Sequence, residues 1–320
     1  MPALRTIPST AGADPLPSPP PEVDLRPATG HFAKALRRNL TAHGFLIGAV
    51  VCFALFSWYP MIREFLLAFQ KTENGRTTWV GLDNFRTVAN DPAFWQAWGN
   101  TALYTALALV LGFAVPFVAA LVINEFRHAQ AYLRLLVYLP VMLPPVASVL
   151  LFKYLYDPGY GLLNELFGLL GLPEQQWLQD PDISLLAVVI ASTWMNMGGA
   201  TLIYLAALQS IPGELYEAAE LDGAGLLRKI WHVTVPQTRL VLSLMLLMQV
   251  IATMQVFVEP FLLTGGAGPE GSTTTVVYLI YQYAFSFNNY GAAAALGLLL
   301  LVLLAGFSAA YVRLSRVEDE

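Results

Sequence analysis

The sequence predicts an all-α, polytopic membrane protein that crosses the bilayer six times, with both termini cytoplasmic. Three observations predict it. Hydrophobic residues make up 56% of the 320 and charged residues only 12%, about half the charged share of a soluble domain. The apolar residues come in runs long enough to cross the hydrocarbon, which takes about 20 helical residues, and the runs are continuous rather than alternating, as helices and not barrel strands require. Lys and Arg gather on alternate sides of those runs, which sets the orientation.

Residues 1–40 come first and differ from the rest. The stretch "STAGADPLPSPPPEVDLRPATG" is rich in Pro, Ala, Ser and Asp and has no apolar face, so it reads as a disordered cytoplasmic tail. No apolar run follows the first charges closely enough for a signal peptide. Lys34, Arg37 and Arg38 then precede the six-span domain, which occupies 41–320.

The first span covers about Gly44–Phe69, with Pro60 expected to kink its outer part. The second covers about Trp98–Ile123, and the third about Tyr132–Tyr156, interrupted at "YLPVMLPP". The fourth runs from Ile183 to Leu208, the fifth from Leu240 to Leu263 and the sixth from Tyr290 to Val312. With the tail inside, the inner segments hold twelve basic residues: Arg5, Arg26, Lys34, Arg37, Arg38, Arg127, Arg134, Arg228, Lys229, Arg239, Arg313 and Arg316. Only Arg63, Lys71, Arg76, Arg86 and Lys153 fall outside or at outer span ends, and the opposite orientation would invert the rule. Trp58, Trp79, Trp95 and Trp98 are placed as interfacial anchors. Lone Cys52, inside an apolar run, reads as a packing residue.

One polar segment between spans four and five stands out: "ELYEAAELDGAGLLRKIWHVTVP", Glu214–Pro236. Pro212 suits a first helical turn, and Glu214 and Glu217 suit the positive end of its dipole. Leu215, Ala218, Ala219 and Asp222 share a face, and Gly223 and Gly225 stop the helix. A second short helix carries an apolar stripe of Leu226, Leu227, Ile230 and Trp231 and is expected to end at Pro236. The result is a two-helix knob within the cytoplasmic loop 210–238. Spacing alone fits both a docking surface and an amphipathic cover lying in the interface.

Several chemistries are excluded. None of the four Lys follows a Gly, so no Walker A sequence exists; the four His are scattered without metal spacing; and no Gly-x-Ser-x-Gly elbow occurs. No catalytic residue and no metal site is expected, nor any cofactor bound by this chain.

The order Glu217-Ala218-Ala219, three residues, Gly223, nine residues, then Val233-x-Val235-Pro236 resembles the signature loop of the permease subunits of bacterial ABC importers, with Val at two positions where that loop has Ile and Leu. "GLDNF" (81–85), "NTALYT" (100–105), "LAALQSIPGELYEAAELDGA" (205–224), "FLLTGGAGPEGSTT" (261–274) and "YQYAFSFNNYGAAAA" (281–295) are similar to the carbohydrate-uptake branch, related to the maltose and glycerol-phosphate permeases. Ala267 interrupts what is a Gly-Gly-Pro run in that branch. The likeness covers nearly everything beyond residue 40.

The resemblance implies a type I importer permease fold in a bacterial cell membrane. It implies a coupling role, through contact with a separate ATPase, for Glu214, Glu217, Ala218, Ala219, Asp222, Gly223 and Pro236. Implied partners are a second homologous permease, two ATP-binding subunits that carry the ATP and Mg, an extracytoplasmic solute-binding protein, the lipid bilayer and a sugar substrate, with no nucleic acid. Polar residues inside spans are costly in lipid and mark a path, and alignment on the family's sugar-lining segment selects Ser192, Met195, Asn196 and Gly199 in span four and Thr253 and Gln255 in span five. Close helix packing and helix–helix hydrogen bonding also explain such residues, and in heteromeric carriers of this family one subunit can hold the whole substrate site. Glu259 and Lys153, near outer span ends, read as snorkelling or paired groups. Other solutes, such as glycerol phosphate or a polyamine, would want basic or several acidic groups in the spans, where both are scarce. An ion-coupled carrier would want mid-span carboxylates and inverted repeats.

Overall fold

The computed structural model describes residues 44, 46–73 and 76–317, so the expected tail over 1–40 and its basic residues lie outside the described residues. The chain divides into two compact units, Met1–Pro60 and Met61–Glu320. Among the described residues, five helices are long and apolar enough to span a bilayer: α1 (Leu46–Leu67), α3 (Pro92–Glu125), α7 (Ser184–Gln209), α9 (Leu226–Met254) and, from Tyr290, α12 (Tyr290–Val317). A sixth crossing is supplied if α4 (Gln130–Met142) and α5 (Pro145–Leu155), bent by 98° at Leu143–Pro144, count as one. Short helices α2 (Asp83–Ala89), α6 (Leu162–Leu169), α8 (Gly213–Leu221), α10 (Val258–Thr264) and α11 (Val276–Tyr281) fill the connections.

Apart from α1, which buries no residue, the long helices bury one face and leave an apolar face outward, as lipid-facing helices must. On α3, Phe94, Ala97, Thr101, Tyr104, Thr105 and Ala108 are buried, while Val110, Val118 and Val122 are exposed. Tyr104 and Ala108 pack with Val188, Ala191 and Met195 of α7 in one apolar cluster. Small residues permit the close approaches. A Cβ on Gly198 would stand 2.8 Å from the Val137 carbonyl oxygen and 3.0 Å from Tyr138 Cα, so α7 rests directly on the backbone of α4 there. Without a hydrophobic drive between helices in lipid, such close packing is a main source of cohesion.

The helix breaks correct the sequence expectations. The fifth span was expected over 240–263, after a short helix ending at Pro236. Instead α9 runs unbroken from Leu226 to Met254, stops at Gln255–Phe257, and resumes as α10. Pro236 survives inside it because the turn before it, Ile230–Thr234, is a π turn in which Val235 N–H reaches back to Ile230. The extra residue re-registers the ladder where Pro would remove a donor. Pro60 is treated alike: residues Ala54–Trp58 form a π turn and Tyr59 N–H bonds to Ala54. The second span is 34 residues, not 26, or about 51 Å of helix, and outruns the roughly 30 Å hydrocarbon.

The all-α expectation also misses a small hairpin, β1 (Gln70–Glu73) paired antiparallel with β2 (Arg76–Trp79). Asn84, from "GLDNF", ties the start of this hairpin to the end of α1. Its Nδ2 donates to the Ala68 carbonyl at 3.0 Å and the Gln70 carbonyl at 2.9 Å. Gly291 opens α12 beside it, where a Cβ would meet Asn84 Nδ2 at 2.6 Å. The glycine-rich loop after α10 is held on α3 in the same way. Asn100 Nδ2 donates to Gly271 O (2.8 Å) and Thr274 O (3.0 Å), and Thr101 Oγ1 accepts from Val276 N–H. Of the four tryptophans placed as anchors, Trp58, Trp79 and Trp95 are exposed, whereas Trp98 is partly buried against Phe94.

Candidate functional site

The Glu214–Pro236 segment is built from its turn outward. Helix α8 ends in a Schellman motif: Ala224 N–H bonds to Ala219 O at 2.9 Å and Gly223 N–H to Glu220 O at 3.0 Å. That motif requires a left-handed residue at Gly223, whose φ is +74°, and glycine adopts it without the cost a Cβ brings. Tyr216 Oη lies 3.0 Å from Thr234 Oγ1, and Lys229 Nζ donates to Glu220 Oε1 at 2.8 Å, so α8 is fastened to the first turns of α9. Glu214, Glu217, Ala218, Asp222, Gly223 and Pro236 are exposed and Ala219 is half-buried. Among the described residues, the side chains of Glu214, Glu217 and Asp222 make no hydrogen bond or ion pair. Most of the apolar stripe faces outward too, Leu227 being 73% and Trp231 67% exposed while Ile230 is half-buried, and neighbouring Leu221 is 90% exposed. A rigid knob thus presents free carboxylates beside bare apolar side chains.

Within the bundle, four of the six residues expected from the sequence to line a path converge. Met195 and Asn196 line a cavity of about 240 Å³ together with Pro140, Val141, Pro145, Ser148, Val149 and Glu259. Ser192, Asn196 and Thr253 line a smaller one, about 60 Å³, with Tyr104, Gly112 and Gln249. Asn196 belongs to both. Gly199 and Gln255 line neither. Gly199 faces open space, and the exposed Gln255 amide folds back to the Ile251 carbonyl at 3.0 Å. Thr253 is buried and spends its hydroxyl on Gln249 O at 2.8 Å.

Sequence reasoning missed three contributors. Glu259 is paired, as expected, but with path residues: its Oε1 accepts from Asn196 Nδ2 at 3.1 Å and from Ser192 Oγ at 3.3 Å. Gln249 reaches the Ala108 carbonyl at 3.3 Å across the face of Gly112, where a Cβ would lie 2.6 Å from its amide nitrogen. Ser148, on α5, is fully buried and its hydroxyl has no partner. A polar residue in the middle of an apolar run was the available signal for Ser148. No group of three or more His, Cys, Asp or Glu is placed to hold a metal ion among the described residues. The polar groups that line the two cavities are amides, hydroxyls and one carboxylate, that of Glu259.

Residues 112–316, well over half the chain, match the family model described as binding-protein-dependent transport system inner membrane component. The arabinooligosaccharides transport system permease protein AraP of Bacillus subtilis is 30% identical over 83% of this chain and 85% of its own. The trehalose/maltose transport system permease protein MalF of Thermococcus litoralis is 33% identical over 75% of this chain and 81% of its own. Among solved structures, a chain of a bacterial ABC transporter involved in the import of the acidic polysaccharide alginate superposes with a TM-score of 0.79 at 26% identity, covering 91% of this chain and 100% of that one. The chain therefore belongs to the family of binding-protein-dependent transport system inner membrane components, as a multi-pass ABC transporter permease subunit of the cell membrane and not an enzyme in its own right.

Proposed function

We propose that this permease translocates a sugar, as a mono-, di- or oligosaccharide, by alternating access driven from a separate ATPase. The observation that carries the reading is similarity over 83% and 75% of the chain, at 30% and 33% identity, to permeases whose names specify saccharides. Both termini lie in the cytoplasm, where the six-span domain is preceded by the tail over 1–40. The knob around Glu214, Glu217, Ala218, Ala219, Asp222, Gly223 and Pro236 seats in the ATP-binding subunit. Two such subunits, holding ATP and Mg, and a second homologous permease complete the membrane complex. A solute-binding protein delivers the sugar from outside; a solved alginate transporter of the same fold is in complex with its pentasaccharide-bound periplasmic protein. ATP and sugar stabilise different states of the complex, so each shifts the population toward its own. Ser192, Met195, Asn196 and Thr253 line the path; the hydroxyls of Ser192 and Thr253 and the Asn196 amide suit sugar hydroxyls, and Met195 adds an apolar contact. Gly199 and Gln255, away from both cavities in this state, are kept as path residues only for another state.

The test is co-purification of the tagged chain with products of the neighbouring genes, followed by ATPase assays with the matching binding protein and a panel of neutral saccharides. Stimulation by one saccharide is the expected result. A stable complex without any ATP-binding subunit overturns the driven-transport reading, and a complex stimulated only by non-saccharide solutes overturns the sugar.

A further inference from the structure

Two helix breaks meet at the larger cavity. Pro140, Val141, Leu143 and Pro145 bring the 98° bend between α4 and α5 to one side, and Val258 and Glu259 bring the start of α10, just after the Gln255–Phe257 break, to the other. Irregular backbone at membrane depth is tolerated only where protein or an aqueous cavity covers it. Broken helices flanking a cavity are where transporters recognise solutes. The wall between the breaks is polar on one side and apolar on the other. Ser148 is 1% exposed, lines the cavity, and its hydroxyl has no partner. The carbonyl it could have used, that of Pro144, already accepts from Ala147 and Ser148 N–H. A buried hydroxyl left unmatched is costly, and a ligand that matches it recovers that cost.

Among the described residues, Glu259 is the one ionisable residue of this lining, which holds no Lys, Arg or His. Its partners Asn196 and Ser192 are neutral donors, so the negative charge is hydrogen-bonded without being cancelled. Carboxylates make short, strong hydrogen bonds to hydroxyl donors and repel anions, more so where water is scarce. A volume of about 240 Å³ is below the roughly 300–1,000 Å³ of sites for drug-sized ligands, so it suits one sugar ring at a time.

Building on the sugar reading above, we infer that Ser148, Asn196 and Glu259 form a recognition site for one uncharged polyhydroxyl ring, in which the Glu259 carboxylate rejects acidic saccharides. An acidic polysaccharide, like the one named for the solved alginate transporter, meets a like charge at this point. Pro140, Val141, Pro145 and Val149 offer the C–H face of the ring an apolar wall, while Ser148 and Glu259 take its hydroxyls.

The test reads charge selectivity without needing the sugar. In the intact transporter carrying Cys52→Ser, single reporters Ser148→Cys and, as an independent second, Met195→Cys are treated with methanethiosulfonates bearing either a trimethylammonium or a sulfonate. Labelling of this chain is followed by mass spectrometry, with and without ATP. The cationic reagent is expected to outpace the anionic one by at least tenfold beyond their ratio on free cysteine, a floor for a charge within about 10 Å at an effective dielectric near 20. Adding Glu259→Gln is expected to bring that ratio within about twofold of free cysteine. Failure of both reporters to label in either nucleotide state overturns the site, and a ratio unmoved by Glu259→Gln overturns the charge role. Both outcomes are separate from the saccharide panel, whose failure would instead remove the sugar reading.

Discussion

Asn196 Nδ2 stands 3.1 Å from Glu259 Oε1, joining the middle of α7 to the first turn of α10 across 63 residues of sequence. The same amide also donates to Ser192 O at 2.9 Å, so its orientation is fixed from two sides. Asn196→Asp replaces a donor by a second negative charge in this contact. Like charges at such range repel, so the purified complex should melt at a lower temperature and uptake should fall. Asn196→Ala removes the donor without adding charge and should cost less, about 0.5–1.5 kcal/mol. Differential scanning fluorimetry on the two variants checks the order.

The glycine pair in α7 gives a comparison in which only space differs. Gly198→Ala pushes a methyl against the backbone of α4, which cannot swing aside as a side chain can. Overpacking of that kind costs about 1–3 kcal/mol. Gly199→Ala meets nothing within 4 Å and should be neutral or slightly stabilising through better helix propensity. Equal melting temperatures for the two would contradict the packing described for α4 and α7.

Glu217 is exposed and free of partners among the described residues, so Glu217→Lys should leave insertion and melting unchanged while association with the ATP-binding subunit is lost in pull-down. Gly223→Ala acts differently. No neighbour obstructs its Cβ, but the left-handed backbone costs a side chain about 1–2 kcal/mol. The end of α8 should loosen, and ATPase stimulation should weaken without being abolished.

Asp91 caps α3, accepting from Ala93 N–H at 2.9 Å with one oxygen, and takes the Tyr283 hydroxyl at 2.5 Å with the other. Burial, and then the Asp91 charge, push the Tyr283 phenol above its ordinary range. The unfolded chain therefore gives up this proton first as pH rises. The stabilisation is complete below about pH 10, the ordinary tyrosine value, and is lost progressively above it. Tyr283→Phe should lower the melting temperature at pH 8 and flatten its decline above pH 10, as measured in buffered detergent.

Hydropathy made the long helices legible because a run of apolar residues says the same thing wherever it folds. The fourth span was expected at 183–208 and lies at Ser184–Gln209. The knob was legible because its turn chemistry is local: the αL position that Gly223 fills is set by the six residues around it. What stayed hidden depends on distant partners. Asn100 and Thr274 are 174 residues apart, and no periodicity in either stretch announces the other. Glu259 looked like a span-end charge and Ser148 drew no reading at all, because their meaning comes from sharing a cavity. Pro236 misled for a related reason, since its effect was cancelled by the turn preceding it.

The uninterrupted course of α9 has a mechanical meaning. From Trp231, bare at the exposed end, to Thr253 beside the smaller cavity is 22 residues of one helix, or about 33 Å of stiff rod. Had Pro236 broken it, a push on the knob would have been absorbed in a joint. As built, the rod acts as a lever: tilting its Trp231 end by a few degrees sweeps the Thr253 end sideways by ångströms, and the wall of the smaller cavity moves with it.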